Sequence, residues 1–218
     1  MSDNFDINLD CDFGDFSETK NKKVKEVRNK SIKLVDDGKV YRRFLDKQFY
    51  RVSKINNLIK LPEKNEQIRI ITQKSFNAFS LLLYLLESQN INECYLTSYN
   101  IDVNTIKGLD FLLKEGKIKK ITVLISKMLI AASPTSYKML KDLASDKFNV
   151  ILCMNHTKMI LANTKNKHYV IEGSGNLTAG ARIEQYLFEE CQETYNFHKN
   201  WIENVQEFSP KKDVEKYN

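Results

Sequence analysis

The sequence lacks several features that would assign it quickly to a class of protein. Its four cysteines are far apart and form no CxxC pair, so the ligand spacing of a zinc site is absent and we expect reduced, mostly buried thiols. No apolar run approaches the roughly 18 residues of a membrane-spanning helix. The acidic N-terminus lacks the basic start of a secretory signal. These absences favour a soluble, cytoplasmic, globular protein.

Positive charge is concentrated in one segment of the chain. Residues 1–19 hold six acidic residues and no Lys or Arg, whereas residues 20–60 hold fourteen Lys or Arg and four acidic residues. A cluster of basic side chains is typical of a protein that binds a polyanion, because Lys and Arg displace counterions from phosphates. A solvated helical surface has the same composition, and both interpretations remain open. The candidates for nucleic-acid binding are Lys22, Lys23, Lys25, Arg28, Arg42, Arg43 and Arg51.

The apolar pattern of the chain changes at about residue 66. Before it, residues 20–37 repeat apolar side chains at helical spacing, and a second helix is predicted from about Tyr41 to Ile59. From residue 66 to residue 153, short β-branched runs alternate with helical segments. This alternation predicts an α/β fold with a mixed, mostly parallel sheet flanked by helices.

Beyond residue 155 the alternation stops. TKMILA and HYVIEG are strand-like and are joined by a polar turn, which predicts an antiparallel hairpin. A final helix is predicted from about Ile183 to Val205. These patterns divide the chain into four predicted segments. They are an acidic flexible tail (residues 1–19), a basic helical extension (20–62), the α/β domain (63–208) and a frayed C-terminus (209–218).

Two short motifs after residue 155 carry side chains suited to an anionic substrate. His156 and Lys158 are two residues apart, so on a strand they face the same way. Lys can neutralise a phosphate oxygen, and His can attack phosphorus or move a proton. In GSGN, the glycines let the backbone approach a ligand, while Ser174 and Asn176 add hydrogen-bonding groups. Each motif alone is more typical of an exposed edge strand or a loop turn, but their order and separation make the pair more specific.

HTKMILAN followed by VIEGSGNLT resembles the signature of the phospholipase D-like superfamily, in which HxK precedes an acid and a GSxN turn. The resemblance covers about residues 66–205 and implies an α/β fold. It implies that His156 is the nucleophile or the general acid. Lys158 and Asn176 would hold phosphate oxygens, with Ser174 supporting them.

The superfamily also uses an acid after the GSxN turn to orient the histidine. Glu184 is the main candidate, with Glu172 and Glu189 as weaker ones, and a surface or helix-capping role for Glu184 is equally open. Arg182 is either a phosphate ligand or a surface residue. The sequence departs from the signature at Asn163, which stands at the position of the acid that follows HxK.

The remaining histidines, His168 and His198, are expected to be structural. The resemblance implies a scheme with two histidines and without a metal or other cofactor. Because the chain has one HxK motif, it would form a homodimer with the two motifs meeting at a two-fold axis. The expected activity is that of a phosphodiesterase or endonuclease on DNA, less so RNA, through a phosphohistidine. The alternative is a weak or inactive module that binds nucleic acid or a protein partner.

Overall fold

The computed structural model describes residues 39–180, 182–205 and 215–217 of the chain. The acidic tail and the first predicted helix of the basic extension lie outside these residues. Within the described residues, eight strands form one sheet. The strands are β1 (Gln67–Ile71), β2 (Glu93–Ser98), β3 (Ile121–Ser126), β4 (Phe148–Cys153), β5 (Met159–Asn163), β6 (His168–Gly173), β7 (Gln185–Glu190) and β8 (Glu215–Tyr217).

The helices of the described residues precede β5, with one exception near the end of the chain. None of them is long and apolar enough to cross a membrane. The helix predicted from Tyr41 to Ile59 is present to within two residues at each end. The helices are α1 (Lys39–Leu58), α2 (Ala78–Leu86), α3 (Val103–Lys114), α4 (Leu129–Ala132), α5 (Pro134–Leu143) and α6 (Gln192–Glu203).

The sheet is mixed, and most of its neighbouring strands are antiparallel. Its order is β1-β7-β6-β5-β2-β3-β4-β8. β2, β3 and β4 pair in parallel, and the other neighbours pair antiparallel. The predicted mixed α/β fold is confirmed, but a mostly parallel sheet is wrong. Helical crossovers join adjacent strands only between β2 and β3 and between β3 and β4. β5, β6 and β7 follow one another as an antiparallel meander, including the predicted β5–β6 hairpin.

The central strands are covered on both faces. Every residue of β3 is buried, which accounts for the absence of charged side chains from its sequence ITVLIS. On one face, α6 packs Tyr195 against Leu161 of β5 and Val170 of β6. Three cysteines among the described residues are free thiols, two of them buried. This agrees with the expected reduced, mostly buried thiols for the part of the chain that the structure describes.

Two segments near the C-terminus differ from the sequence prediction. Residues 185–190 form β7 rather than the start of a helix, and the helix begins at Gln192. β7 lies between β1 and β6, and this pairing overrides the helical preference of its acidic and leucine residues. Residues 215–217, within the segment predicted to fray, form β8 and pair with residues 150–152 of β4.

α1 packs against the α/β core although it belongs to the basic extension. Phe44 of α1 stacks on Phe79 of α2, with the ring centroids 5.9 Å apart. Val52 and Ile55 are buried on the same side of α1. Apolar residues at these helical spacings bury one face of α1 and leave the opposite face to solvent.

Candidate functional site

The HTK motif lies just before β5 and is held against the end of β2. The side chain of the buried Asn155 donates to the Ser98 carbonyl at 3.0 Å and accepts from the Thr157 amide at 3.0 Å. The Thr157 hydroxyl donates to the Thr97 hydroxyl at 2.9 Å. The motif is therefore a short extended segment fixed by its neighbours rather than part of β5 itself.

His156 and Lys158 lie together, as their spacing predicts. Lys158 Nζ donates to the His156 carbonyl at 2.8 Å and lies 3.5 Å from Nδ1 of the same residue. The imidazole is exposed and meets the Tyr99 ring edge-on, with centroids 5.1 Å apart. Burial lowers the pKa of the Lys158 ammonium below its usual value, and the Glu184 carboxylate opposes that shift. The pair thus presents a nucleophilic ring beside a partly desolvated cation.

The GSGN turn follows β6 and shares its anchor with the HTK motif. The Ser98 hydroxyl accepts from the Leu177 amide at 3.0 Å and lies 3.3 Å from Asn176 Oδ1. Ser98 is fully buried at the end of β2. One residue of β2 therefore contacts Asn155 through its carbonyl and the GSGN turn through its hydroxyl, which brings the two motifs side by side.

The N-terminal ends of two helices hold the loop that follows the turn. Asn77 is the N-cap of α2, and its side-chain amide donates to the Thr178 carbonyl at 2.7 Å. Asp102 is the N-cap of α3, and its carboxylate accepts from the Ala179 amide. Each capping side chain thus serves both its own helix and the loop.

Glu184 contacts Ser174 rather than His156. The Ser174 hydroxyl donates to the Glu184 carboxylate and accepts from the Gln185 amide at 3.1 Å. Thr72, just beyond β1, accepts from the Glu184 amide at 3.0 Å. Among the described residues, no carboxylate bonds the His156 ring. Glu184 therefore belongs to the site through Ser174 and through its proximity to Lys158.

Both glycines of the turn lie against the ring of Tyr186 on β7. A Cβ at Gly173 would overlap the Tyr186 ring and lie 2.6 Å from the Gln185 carbonyl. A Cβ at Gly175 would overlap the Tyr186 hydroxyl and lie 3.1 Å from Cζ. The sequence analysis explained these glycines by the approach of a ligand, whereas the structure shows that the packing of Tyr186 already requires them.

The other acids and histidines considered from the sequence bond to groups other than the HTK side chains, although Glu172 pairs with Met159, next to Lys158. Glu172 accepts from His198 Nε2 at 3.1 Å on the face that α6 covers. Glu189 accepts from the Gln67 amide at 2.6 Å. The His168 ring packs on Tyr195 with centroids 4.9 Å apart, in keeping with a structural role.

Asn163 is at the opposite end of β5 from Lys158. It pairs with His168 where the hairpin turns, and its carbonyl accepts from the Asn92 amide at 2.7 Å. Five residues of extended chain separate Asn163 from Lys158 by roughly 16 Å. The departure from the signature therefore lies remote from His156 and Lys158.

Arg51 does not belong to the predicted nucleic-acid surface, so its assignment from the sequence was wrong. Its side chain is buried, with 2% exposure, because it lies on the face of α1 that packs on the core. A nucleic acid cannot reach it there. Arg182 is exposed, and the structure shows its carbonyl accepting from Thr72 Oγ1 at 2.6 Å. The remaining candidates lie outside the part of the chain that the structure describes. This applies to the side chains of Arg42 and Arg43, and to the whole of Lys22, Lys23, Lys25 and Arg28.

The sequence analysis missed the residues that assemble the site. Each of these residues lies at the end of a strand or at the start of a helix, and no spacing in the sequence connects it to GSGN. The residues are Thr72, Asn77, Ser98 and Asp102. Asn77 and Asp102 could have been recognised as N-caps, but not as ligands of a distant loop. Among the described residues, no group of three or more His, Cys, Asp or Glu could hold a metal ion.

The fold and the site together define an α/β protein with a cationic side chain, Lys158, beside the ends of β2 and β6. Neither protein-family models nor curated protein sequences give a match to this chain. Among solved structures, the chain is similar to NucT from Helicobacter pylori, at 15% identity and a TM-score of 0.51, over 65% of this chain and 96% of NucT.

Parts of two larger proteins are also similar to this chain, at lower TM-scores. Polyphosphate kinase from Porphyromonas gingivalis matches at 14% identity and a TM-score of 0.49, over 67% of this chain and 26% of the kinase. Phosphatidylserine synthase from Haemophilus influenzae matches at 13% identity and a TM-score of 0.48, over 72% of this chain and 41% of the synthase. The chain therefore shares the fold of NucT, as expected from the resemblance of HTK and GSGN to the phospholipase D-like signature.

Proposed function

We propose that this protein is a phosphodiesterase of the phospholipase D-like type that cleaves nucleic acid, DNA in preference to RNA. The observation that carries the proposal is the convergence of the HTK and GSGN motifs on Ser98. It places the His156 ring, the Lys158 ammonium and Asn176 at one end of the sheet. The basic segment at residues 20–60 favours a polyanionic substrate over a lipid.

The proposed reaction uses a covalent phosphohistidine. An unprotonated imidazole nitrogen of His156 attacks phosphorus, and the bond from phosphorus to one ester oxygen breaks. That oxygen takes a proton from a second imidazole. The second imidazole then takes a proton from water while the water oxygen displaces His156 from phosphorus, which releases a phosphate monoester and restores both histidines. Lys158 neutralises a phosphate oxygen as negative charge develops on the transferring group. Asn176 donates to another oxygen, and Ser174 is positioned by Glu184.

The second imidazole would come from another copy of the chain. The sequence has one HTK motif, and His156 is exposed in the described structure, so a second His156 can approach it. A homodimer with the two motifs face to face supplies one histidine as nucleophile and the other as acid. This reaction scheme requires neither a metal nor another cofactor.

A second candidate function follows from the contacts of His156. Because no carboxylate among the described residues bonds its ring, the imidazole lacks the partner that would fix its tautomer. A protein with such a site could bind nucleic acid or a protein partner without cleaving it. The cation and the turn would still hold a phosphate.

One experiment separates the two functions. The purified full chain is incubated with supercoiled plasmid and with single-stranded DNA in EDTA, beside His156→Ala and the control His168→Asn. The phosphodiesterase predicts cutting by the wild type and by His168→Asn but not by His156→Ala. If no variant cuts but all shift DNA in a gel, the binding module is correct. Equal cutting by His156→Ala and wild type rejects the proposed nucleophile.

The oligomeric state provides an independent check. Sedimentation velocity at micromolar concentration should show a dimer, and mixing His156→Ala with an active wild-type chain should give heterodimers of reduced activity. A protein that is monomeric under conditions in which it cuts DNA contradicts the shared site.

A further inference from the structure

A group of buried polar side chains lies between α1 and β7. Gln48, Arg51 and Tyr186 are 1%, 2% and 4% exposed. Four of their polar atoms have no hydrogen-bond partner among the described residues: Gln48 Nε2, both terminal nitrogens of Arg51 and the Tyr186 hydroxyl oxygen. The Tyr186 hydroxyl lies close to the backbone of Ala78. We call these three residues the inner polar cluster.

The cluster consists of hydrogen-bond donors. The Gln48 carbonyl oxygen is already used, since it accepts from the Ser80 hydroxyl at 2.7 Å. This leaves an amide N–H, guanidinium N–H groups and a phenol O–H, with no acceptor opposite them among the described residues. Buried donors without acceptors destabilise the folded state, so something must accept these hydrogen bonds.

The cluster also carries a positive charge, and no carboxylate of the described residues bonds the Arg51 guanidinium. A guanidinium does not lose its proton in proteins, so Arg51 cannot become neutral on burial. Burial lowers its pKa, and Tyr186 is the neighbouring ionisable group that interacts with it. Burial also raises the pKa of Tyr186, so this phenol is protonated at neutral pH and supplies no negative charge. Water would satisfy the donors but would leave the charge unpaired, which costs several kcal/mol.

The cluster lies beneath the GSGN turn. Tyr186 lies against Gly175 and lines a small cavity with Lys158, Thr97 and Ala78. On the other side, Gln48 reaches the same loop through Ser80 and Asn77, whose amide holds Thr178. A group bound by the cluster would therefore link α1 to the backbone that presents Asn176.

We propose that Gln48, Arg51 and Tyr186 form a buried binding site for a small inorganic anion, of the size of chloride or phosphate. The anion accepts the free N–H and O–H bonds and neutralises Arg51. This site is separate from the proposed phosphodiester site at Lys158, and its existence does not depend on catalysis. Its role is to hold α1 and the GSGN turn in one arrangement.

Thermal unfolding of the full chain tests the proposal. The protein is placed in a large organic-anion buffer, and chloride, phosphate or sulfate is introduced at constant ionic strength. The wild type should show a saturable rise of the unfolding midpoint of about 5–10 °C at a hundredfold excess over the dissociation constant. Arg51→Met should abolish this rise. It should also match or exceed the wild-type midpoint without the anion, because a buried charge is replaced by an apolar side chain.

A matched variant separates the inner site from the outer one. Lys158→Met removes the cation of the HTK motif but leaves the inner polar cluster intact, so it should retain the response to the anion. A response that disappears in Lys158→Met and persists in Arg51→Met would assign the anion to the outer site and overturn the proposal. A wild-type midpoint that is insensitive to all three anions would overturn it as well.

Bromide gives a direct readout that does not depend on a folded variant. Crystals of the wild-type chain grown or soaked in bromide should show an anomalous peak within hydrogen-bond distance of the Arg51 guanidinium. An anomalous map with bromide on the surface but none at Arg51 rejects the site, whatever the stability of Arg51→Met.

Discussion

Gly175→Ala tests whether the GSGN turn is shaped by Tyr186. The added Cβ would lie 3.1 Å from Tyr186 Cζ and would overlap the hydroxyl. The optimum for two carbons is about 3.5–4.0 Å, so the methyl group and the ring must move apart. Tyr186 is 4% exposed, so its ring cannot swing into solvent without opening the packing around it. Gly175 does not adopt a positive φ, so the cost comes from overpacking rather than from backbone strain.

The expected cost is that of inserting one methyl group into a packed interior, about 1–3 kcal/mol. For a chain of this size it corresponds to a fall of about 2–12 °C in the thermal midpoint. Gly180→Ala is the control, because a Cβ there meets no atom within 4 Å. The midpoints are measured by circular dichroism, together with urea unfolding at 25 °C.

A double-mutant cycle identifies the source of that cost. Tyr186→Phe removes the overlapping hydroxyl, so Gly175→Ala should be less destabilising in a chain that carries Tyr186→Phe than in the wild type, by about 1 kcal/mol or more. The cycle is run without chloride or phosphate, which would otherwise act through the Tyr186 hydroxyl. If Gly175→Ala leaves stability unchanged and only raises KM, the glycine serves ligand approach and the reasoning from Tyr186 is wrong.

Three further changes test other parts of the structure. Asn163→Asp should leave DNA cleavage within about twofold of the wild type, since the position is remote from Lys158; a large gain would contradict this. Asn77→Ala should lower the unfolding free energy by about 1–2 kcal/mol in urea, because it removes an N-cap and the bond to Thr178. Glu172 accepts from His198, which holds the pKa of Glu172 below its usual value, so this stabilisation is lost as the pH falls through that depressed pKa. Glu172→Gln should therefore lose less stability than the wild type between pH 7 and pH 3. The difference should be under about 1 kcal/mol, because the Glu172 carboxylate is partly exposed. Equal losses in the two proteins would refute the role of the contact between Glu172 and His198.

The sequence was sufficient for the parts of the site that are local. HTK and GSGN are short motifs, and their side chains indicate their chemistry without reference to the rest of the chain. Glu184 was also found, but its contact was not: it bonds Ser174, on the adjacent turn, rather than His156. The direction of a side chain at the end of a strand depends on the register of that strand, which the sequence does not reveal.

The contacts that join the motifs could not be predicted for a related reason. Ser98 ends β2, 57 residues before the Asn155 that it bonds and 79 residues before Leu177. β7 was missed because its sequence QYLFEE has the acids and leucine of a helix, while its partners β1 and β6 are specified only by the folded sheet. Tertiary pairing decides such segments, and local propensity is only a weak guide.

The buried position of Arg51 changes how the basic segment should be tested. Charge counting treats every Arg and Lys of residues 20–60 as part of one surface, but α1 turns Arg51 towards the core and leaves Lys47 exposed. Arg51→Glu would place an acid among buried groups, so any decrease in its DNA binding would report on folding. Lys47→Glu changes the same net charge on the outside of the same helix. If nucleic acid follows this segment, that variant should weaken binding and reduce the salt slope by about 1 for each phosphate that Lys47 neutralises. If the salt slope of DNA binding is unchanged in Lys47→Glu, the exposed face of α1 does not belong to the proposed nucleic-acid surface. The remaining proposed role of α1 is then to support the GSGN turn from beneath.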